Sequence, residues 1–226
     1  MLSGLLFAGR ESRGPWDDLR PVRGEMFGIE RLEQHAASLA AAQPVAARPP
    51  SVRSLQARLD QNAAILLSAY RSSAQELAQG RQVVPAAEWL LDNYHLVAAQ
   101  ITDIHRHLPP GYYRQLPKLA DGPFTGYPRV FGLAWAYVTH TDSHVDPETL
   151  RRFINAYQQV QPLTIGELWA VAITLRIVLI ENLRRLAEQI TQGRQARNEA
   201  DRLTAQLMTQ EDALMALASA SAALGN

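Results

Sequence analysis

The chain has 226 residues, of which 47% are hydrophobic and 19% charged, so it can bury a core as one or two domains without disulfide bonds. Its 22 basic and 22 acidic residues balance, which excludes an overall field that attracts nucleic acid or an anionic membrane. The absence of cysteine excludes disulfides, thiolate metal sites and cysteine nucleophiles.

The first 50 residues are predicted to form a flexible N-terminal arm with one short helix. Residues 1–24 are rich in Gly, Pro and Arg, have no helical periodicity, and lack the basic leader of a signal peptide. Across Glu25–Gln43, apolar residues recur at steps of three and four, which predicts the helix of the arm. Prolines in the segment Pro44–Pro50 end this pattern and form a short linker.

Residues 51–192 are predicted to form a helical core domain. Ser51 is expected to cap a helix that runs to about Gln79. Pro85 stands where the first turn of the next helix accepts a proline, and that helix is predicted to end near His107.

The segment Tyr112–Pro128 has a different character. Its prolines and glycines forbid a long helix, yet its aromatic and leucine residues are too apolar for a solvated loop. We therefore expect an ordered connector that lies over the core. Aromatic rings either pack in a core or form a platform for a sugar ring. Because binding residues are frequent on irregular segments, Tyr112, Tyr113 and Tyr127 are the candidate sugar-contacting residues.

Three further helices are predicted after the connector. They span Arg129 to about Thr141, Asp146 to Val160, and Thr164 to Gln192, the last beginning with a Thr164–Glu167 capping box. Gly193 is expected to end or kink this helix.

Residues 193–226 are predicted to form a C-terminal helix that continues into a downstream region. No part of the sequence has a strand pattern, so the predicted fold class is all-α, a multi-helix bundle or array.

Arg176 interrupts the most apolar stretch of the chain, Leu168–Ile180, which is too short and too charged to span a membrane. We interpret this stretch as a core helix and expect Arg176 to be largely buried. An unpaired buried charge costs several kcal/mol, so a carboxylate should lie within hydrogen-bond reach. The candidate ion-pair partners are Glu88, Asp92 and Glu181.

A metal site is the alternative interpretation of the acidic residues in the first half of the predicted Pro85–His107 helix. Glu88, Asp92 and His95 share one helix face, but no second copy of the pattern supplies facing ligands. The nearest candidate is Asp142 with His140 and His144, which is expected at a helix end. We predict a structural role for these groups, with no metal ion and no cofactor.

The tryptophans at helical spacing, Trp89, Trp135 and Trp169, are expected to pack in the core rather than to form a sugar platform. No serine is placed by sequence beside a histidine–carboxylate pair, so no nucleophile and no catalytic residue is predicted.

Long sequence runs in a fixed order resemble a known family. They are Pro85–His95, Leu108–Leu119, Gly126–Val130 with Trp135 and Thr141–Ser143, and Tyr157–Ala170, preceded by Gly28–His35. Together they resemble the N-terminal region of cyclic β-1,2-glucan synthases over roughly residues 16–192. The family usually has arginine where this chain has His144, which weakens any role carried over to that position.

The resemblance implies a large membrane-bound glycosyltransferase that builds a glucan from UDP-glucose. Such a transferase needs an Asp-x-Asp pattern and typically an Arg-Trp pair, and neither occurs in this chain. The resemblance therefore implies a non-catalytic module on the cytoplasmic side of the inner membrane. Its expected partner is the downstream transferase core or a second copy of itself, docked through an apolar stripe on residues 194–224. Two alternatives remain open: a module that binds glucan or nucleotide sugar, and a metal-binding bundle.

Overall fold

The computed structural model describes Trp16, residues 19–109 and residues 111–224, with the backbone alone for 211–213 and 215–224. This described part contains seven helices and no strand, which confirms the all-α prediction. The helices are α1 (Ile29–Ala42), α2 (Leu55–Ala78), α3 (Pro85–His107), α4 (Tyr112–Gln115), α5 (Arg129–His140), α6 (Pro147–Val160) and α7 (Ile165–Leu224). The chain divides after Leu186 into two compact units.

Helix starts follow local capping chemistry. Asp146 caps α6 by accepting a hydrogen bond from the Thr149 amide at 2.7 Å. Both bonds of the predicted capping box form at α7, because Thr164 Oγ1 accepts from the Glu167 amide and a Glu167 carboxylate oxygen accepts from the Thr164 amide. The prediction for α2 was wrong: Ser54, not Ser51, is the cap, with its Oγ 3.2 Å from the Gln56 amide nitrogen.

Helix α1 belongs to the core of the first unit rather than to a separate arm. It packs against α6 and α5 and buries Leu32 and Ala36. The ion pair between Glu33 and Arg152, at 2.7 Å, adds a polar link from α1 to α6. The same core includes Phe131 and Tyr137 from α5 and Val178 from α7.

The connector between α3 and α5 is ordered, as expected. Its backbone pairs with itself through Leu119 and Tyr127, whose amide-to-carbonyl distance is 3.0 Å. It also pairs with the earlier linker, because the Ala46 amide donates to the Lys118 carbonyl at 2.8 Å. The proline-rich segments before α2 and before α5 therefore hold each other in place.

Gly126 shows why this contact needs a glycine. Its φ angle is +81°, and a Cβ added there would lie 2.6 Å from Val52 Cγ1 and 2.9 Å from the Pro50 carbonyl oxygen. Only a residue without a side chain fits both the backbone angle and the space.

Helix α7 continues through Gly193, which the sequence analysis expected to end or kink it. The first part of α7 buries Ala170, Val171 and Leu175, in keeping with the predicted core helix. Within the described residues, no helix combines the length and the apolar character needed to cross a bilayer.

Candidate functional site

A cavity of about 280 Å³ lies between the start of α2 and the connector. All three tyrosines predicted as sugar contacts, Tyr112, Tyr113 and Tyr127, line it. We call it the tyrosine cavity. Its other lining residues come from the segment before α2 and its first turn, from the end of the α3–α4 loop and from the connector: Ser51, Val52, Arg53, Ser54, Leu55, Gln56, Pro109, Gly111, Arg114, Lys118, Gly126 and Pro128.

The hydroxyl groups of the three tyrosines are held by the protein itself. Tyr112 donates to the Gly166 carbonyl at 2.7 Å, and the Tyr113 hydroxyl lies 2.8 Å from Thr174 Oγ1. The Tyr127 hydroxyl accepts a hydrogen bond from the indole of Trp16. These bonds fix the rings as rigid walls of the cavity.

Two of the tyrosine walls, Tyr113 and Tyr127, are uncharged at neutral pH. Burial raises the pKa of Tyr113 to about 12, although its hydrogen bond to Thr174 acts in the opposite direction. Burial also raises the pKa of Tyr127. The cavity therefore offers neutral aromatic surface at neutral pH.

The charged side chains that line the tyrosine cavity are all basic. They are Arg53, Arg114 and Lys118, and no lining residue is acidic. Among the ion pairs of the described residues, none includes these three side chains. The cavity thus concentrates positive charge in a chain of zero net charge.

A second polar feature is a buried cluster around Glu181, formed by Arg58 and Asn62 of α2 with Arg184 and Arg185 of α7. Arg58 donates two hydrogen bonds, of 2.8 and 2.9 Å, to the Glu181 carboxylate. Arg185 Nε and Asn62 Nδ2 each donate at 2.8 Å, and Arg184 donates as well. This Glu181 cluster fastens α2 to α7 inside the first unit.

The electrostatics of the cluster favour ionised Glu181. Burial acts to raise the pKa of its carboxyl, but the hydrogen bonds and charges of the arginines outweigh burial and hold it at about 2. Burial lowers the pKa of Arg185, and its bond to Glu181 opposes that effect. An arginine so bonded remains protonated.

A second buried ion pair, between Arg129 and Glu167, was not predicted from the sequence. The two side chains are 4% and 0% exposed, and Arg129 Nε lies 2.9 Å from a Glu167 carboxylate oxygen. Arg129 also donates to the Pro162 carbonyl at 3.1 Å. The available signal was the position of Arg129 at the start of the apolar helix α5, which predicts a buried cation.

The structure corrects the predicted environment of Arg176. A carboxylate lies within reach, as expected, but it belongs to Asp103, and the Arg176 side chain is 31% exposed. Glu88 and Asp92 are exposed on α3 and do not meet Arg176. Of the candidate partners, only Glu181 is buried. It accepts hydrogen bonds from Arg58, Arg184 and Arg185 instead of from Arg176.

The candidate metal ligands do not come together. His95 is exposed beside Glu88 and Asp92, and Asp142 pairs with Arg23 at 3.1 Å. His140 stacks on Phe27 with ring centroids 3.9 Å apart. Among the described residues, no group of three or more potential ligands is placed to hold a metal ion.

The packing prediction was right for one of the three tryptophans. Trp135 contacts Phe124 and Phe131, with ring centroids 5.3 and 5.7 Å apart. Trp89 and Trp169 are 51% and 76% exposed, so the prediction was wrong for both. Periodicity identifies an apolar helix face, but it does not tell which face a neighbouring helix covers.

Trp169 is part of an exposed apolar surface on the first turns of α7. Ile165 and Leu168, which lie on the same helix face, are 70% and 38% exposed. We call these three residues the Trp169 patch.

Comparison with known proteins identifies one relative. The chain is 39% identical over 191 residues to the cyclic beta-(1,2)-glucan synthase NdvB of Rhizobium meliloti (strain 1021). The matched residues make up 84% of this chain but 7% of that protein, so the chain spans a small fraction of its relative's length. No family model matches the chain. The resemblance noted in the sequence is confirmed: this chain is related to a region of a cyclic β-1,2-glucan synthase.

Proposed function

We propose that this chain is a non-catalytic helical module of a cyclic β-1,2-glucan synthase, acting as a scaffold and docking region for the transferase core. The proposal is carried by the extent of the similarity, which covers 84% of this chain and 7% of the much larger relative. The residues that transfer glucose from UDP-glucose would then lie elsewhere in the enzyme. The lack of an Asp-x-Asp pattern in this chain supports that division.

The interior of the first unit suits a scaffold. Two buried groups of ion pairs link its helices. The Glu181 cluster joins α2 to α7, and the Arg129–Glu167 pair joins α5 to the start of α7. Buried ion pairs require accurate geometry, and removing one partner is strongly destabilising. These links favour a rigid body that can hold a second domain in a fixed position.

Two exposed apolar surfaces support docking. In the first unit this is the Trp169 patch. In the second unit, Leu203, Leu207 and Leu214 are 48%, 65% and 66% exposed. Their exposure agrees with the apolar stripe predicted from the sequence. The side chain of Leu217 lies outside the described residues. Exposed apolar clusters of this kind often mark contacts between proteins. We assign the Trp169 patch to the transferase core of the same enzyme, on the cytoplasmic side of the inner membrane.

The docking proposal is tested by mixing the purified chain with the remainder of the synthase, expressed without this region, and measuring their affinity. The double variant Ile165→Ser/Trp169→Ser should weaken association at least tenfold while its melting temperature stays near that of the native chain. Trp89→Ser is the matched control, because Trp89 is an exposed tryptophan on a different helix. Native affinity in the double variant, or no association by the native chain, would contradict docking through the patch.

A second candidate function is binding of a carbohydrate or a nucleotide sugar, and it is favoured by the meeting of Tyr112, Tyr113 and Tyr127 at one cavity. Titration of UDP-glucose and of β-1,2-linked glucose oligosaccharides, followed by calorimetry, tests it. Heat of binding that is lost in a Tyr112→Ala variant supports this function, and the absence of any heat with the native chain contradicts it.

A further inference from the structure

We propose that the tyrosine cavity takes a small ligand that carries a phosphate group, such as a sugar phosphate, rather than a neutral glucan. This inference rests on the second proposed function, ligand binding in the cavity, and names the chemical class of the ligand. It is independent of the docking role.

The tyrosine cavity carries positive charge that nothing in its lining balances. Arg53, Arg114 and Lys118 converge on it from the segment before α2, from α4 and from the connector. Because the lining residues include no carboxylate, these cations have no counter-charge within the cavity. A phosphate group accepts hydrogen bonds from both arginine and lysine and would neutralise this charge.

Other arginines of the chain are paired with acidic side chains. Arg58, Arg129, Arg152 and Arg185 all donate to glutamate side chains, at distances of 2.7–2.9 Å for their Nε atoms. Among the described residues, the buried arginines all bond to a glutamate. Arg53 and Arg114 are exposed and Lys118 is partly buried, and none of the three belongs to an ion pair of the described residues, so an incoming anion can reach them and supply their counter-charge.

The size of the tyrosine cavity suits a small ligand. Its volume of about 280 Å³ lies near the lower limit of small-molecule sites, which span roughly 300–1,000 Å³. A monosaccharide phosphate is of suitable size, whereas a glucan chain would extend well beyond it. The neutral, fixed tyrosine rings supply aromatic surface for a sugar ring, and carbohydrate rings commonly pack on such surface.

The backbone around the cavity agrees with an anionic ligand. Leu55 and Gln56, in the first turn of α2, line it, and this turn contains no acidic residue. The positive end of the dipole of this 24-residue helix therefore adds to the charge of the three basic side chains.

The experiment is isothermal titration calorimetry of the full chain with three probes: glucose 1-phosphate, inorganic phosphate, and the neutral β-1,2-linked glucose disaccharide. We expect glucose 1-phosphate to bind, inorganic phosphate to bind more weakly, and the disaccharide to bind least. Affinity for glucose 1-phosphate should fall as the salt concentration rises, because salt screens accessible charges.

The variants Arg114→Ala and Lys118→Ala should each weaken binding of glucose 1-phosphate by about tenfold, the order expected for loss of one charge-assisted hydrogen bond. Arg71→Ala is the matched control, since Arg71 is an exposed arginine farther along α2 and does not line the cavity. Melting curves verify that each variant is folded.

The possible outcomes separate the proposals. If the disaccharide binds best and the basic-residue variants bind as the native chain does, the phosphate inference is overturned while carbohydrate binding stands. An equal loss of affinity for glucose 1-phosphate in Arg71→Ala would also overturn the phosphate inference, because the loss would then follow from the net charge of the chain and not from the cavity. If no probe binds, ligand binding in the cavity fails, and the docking function is unaffected.

Discussion

The Glu181 cluster and the tyrosine cavity both collect basic side chains, but their surroundings differ. Around Glu181, three arginines and an asparagine surround one buried carboxylate, and the Arg184 and Arg185 side chains are each 2% exposed. At the cavity, Arg53 and Arg114 are exposed, and they line it together with three tyrosines and no carboxylate. The comparison shows that the local supply of acidic partners, rather than the residue type, separates a structural arginine from a candidate ligand-binding one.

The largest effect is expected from Glu181→Gln. This change leaves the buried arginines without their common counter-charge, so the free energy of unfolding should fall by about 3–5 kcal/mol. Denaturant unfolding measures it. Glu148→Gln is the matched control, because the Glu148–Arg151 pair is exposed and its loss should leave stability near the native value. Equal stabilities of the two variants would remove the structural role assigned to the cluster.

Acid should weaken the same cluster in the native chain. The carboxyl of Glu181 has an ordinary pKa of 4.5 and a folded pKa of about 2, so the unfolded state takes up its proton first as the pH falls. The stability it contributes is therefore complete above about pH 5 and is lost progressively toward pH 2, by ~3 kcal/mol in total. Comparing the pH dependence of unfolding in native chain and Glu181→Gln isolates this contribution. If the free energy of unfolding changed with pH equally in both proteins, the contribution assigned to Glu181 would be contradicted.

An intermediate effect is expected on the cavity side from Gly126→Ala. The new Cβ would meet Val52 and the Pro50 carbonyl, and the left-handed backbone angle adds strain, so stability should fall by about 1–3 kcal/mol. Gly122→Ala is the control: its φ is +78°, but nothing lies within 4 Å of the added atom. The excess loss in Gly126→Ala over Gly122→Ala, from thermal unfolding, measures the close packing beside the cavity. No excess would show that the segments can separate there.

The smallest effect is expected from Arg176→Ala. The apolar stretch around Arg176 predicts a largely buried arginine, but the Arg176–Asp103 pair is partly exposed. Water screens such a pair, so the variant should unfold close to the native midpoint. The hydrogen bond from Arg176 lowers the pKa of Asp103, and that pKa should rise in the variant, as measured by NMR titration. If Arg176→Ala lost as much stability as Glu181→Gln, Arg176 would have to be a buried core residue after all.

Local signals identified most helices correctly. Pro85 and Asp146-Pro147 mark the starts of α3 and α6, and the Thr164–Glu167 capping box forms at α7. These features succeed because a cap or a helix-start proline acts within one turn of the chain. The cap of α2 was predicted at Ser51, but Ser54 is the cap. The two serines are equivalent as local signals, so only the surrounding contacts determine which one caps the helix.

The sequence by itself determined the all-α class, the ordered proline-rich connector and the relationship to cyclic β-1,2-glucan synthases, because these depend on residue order and short-range geometry. The tertiary structure decided that Arg176 pairs with Asp103, that Glu181 gathers Arg58, Arg184 and Arg185, and that the three tyrosines line one cavity beside Arg114 and Lys118. Ion-pair partners and cavity walls come from segments far apart in sequence. Helical periodicity shows which side of a helix is apolar, but only the packing of helices fixes which side chains meet.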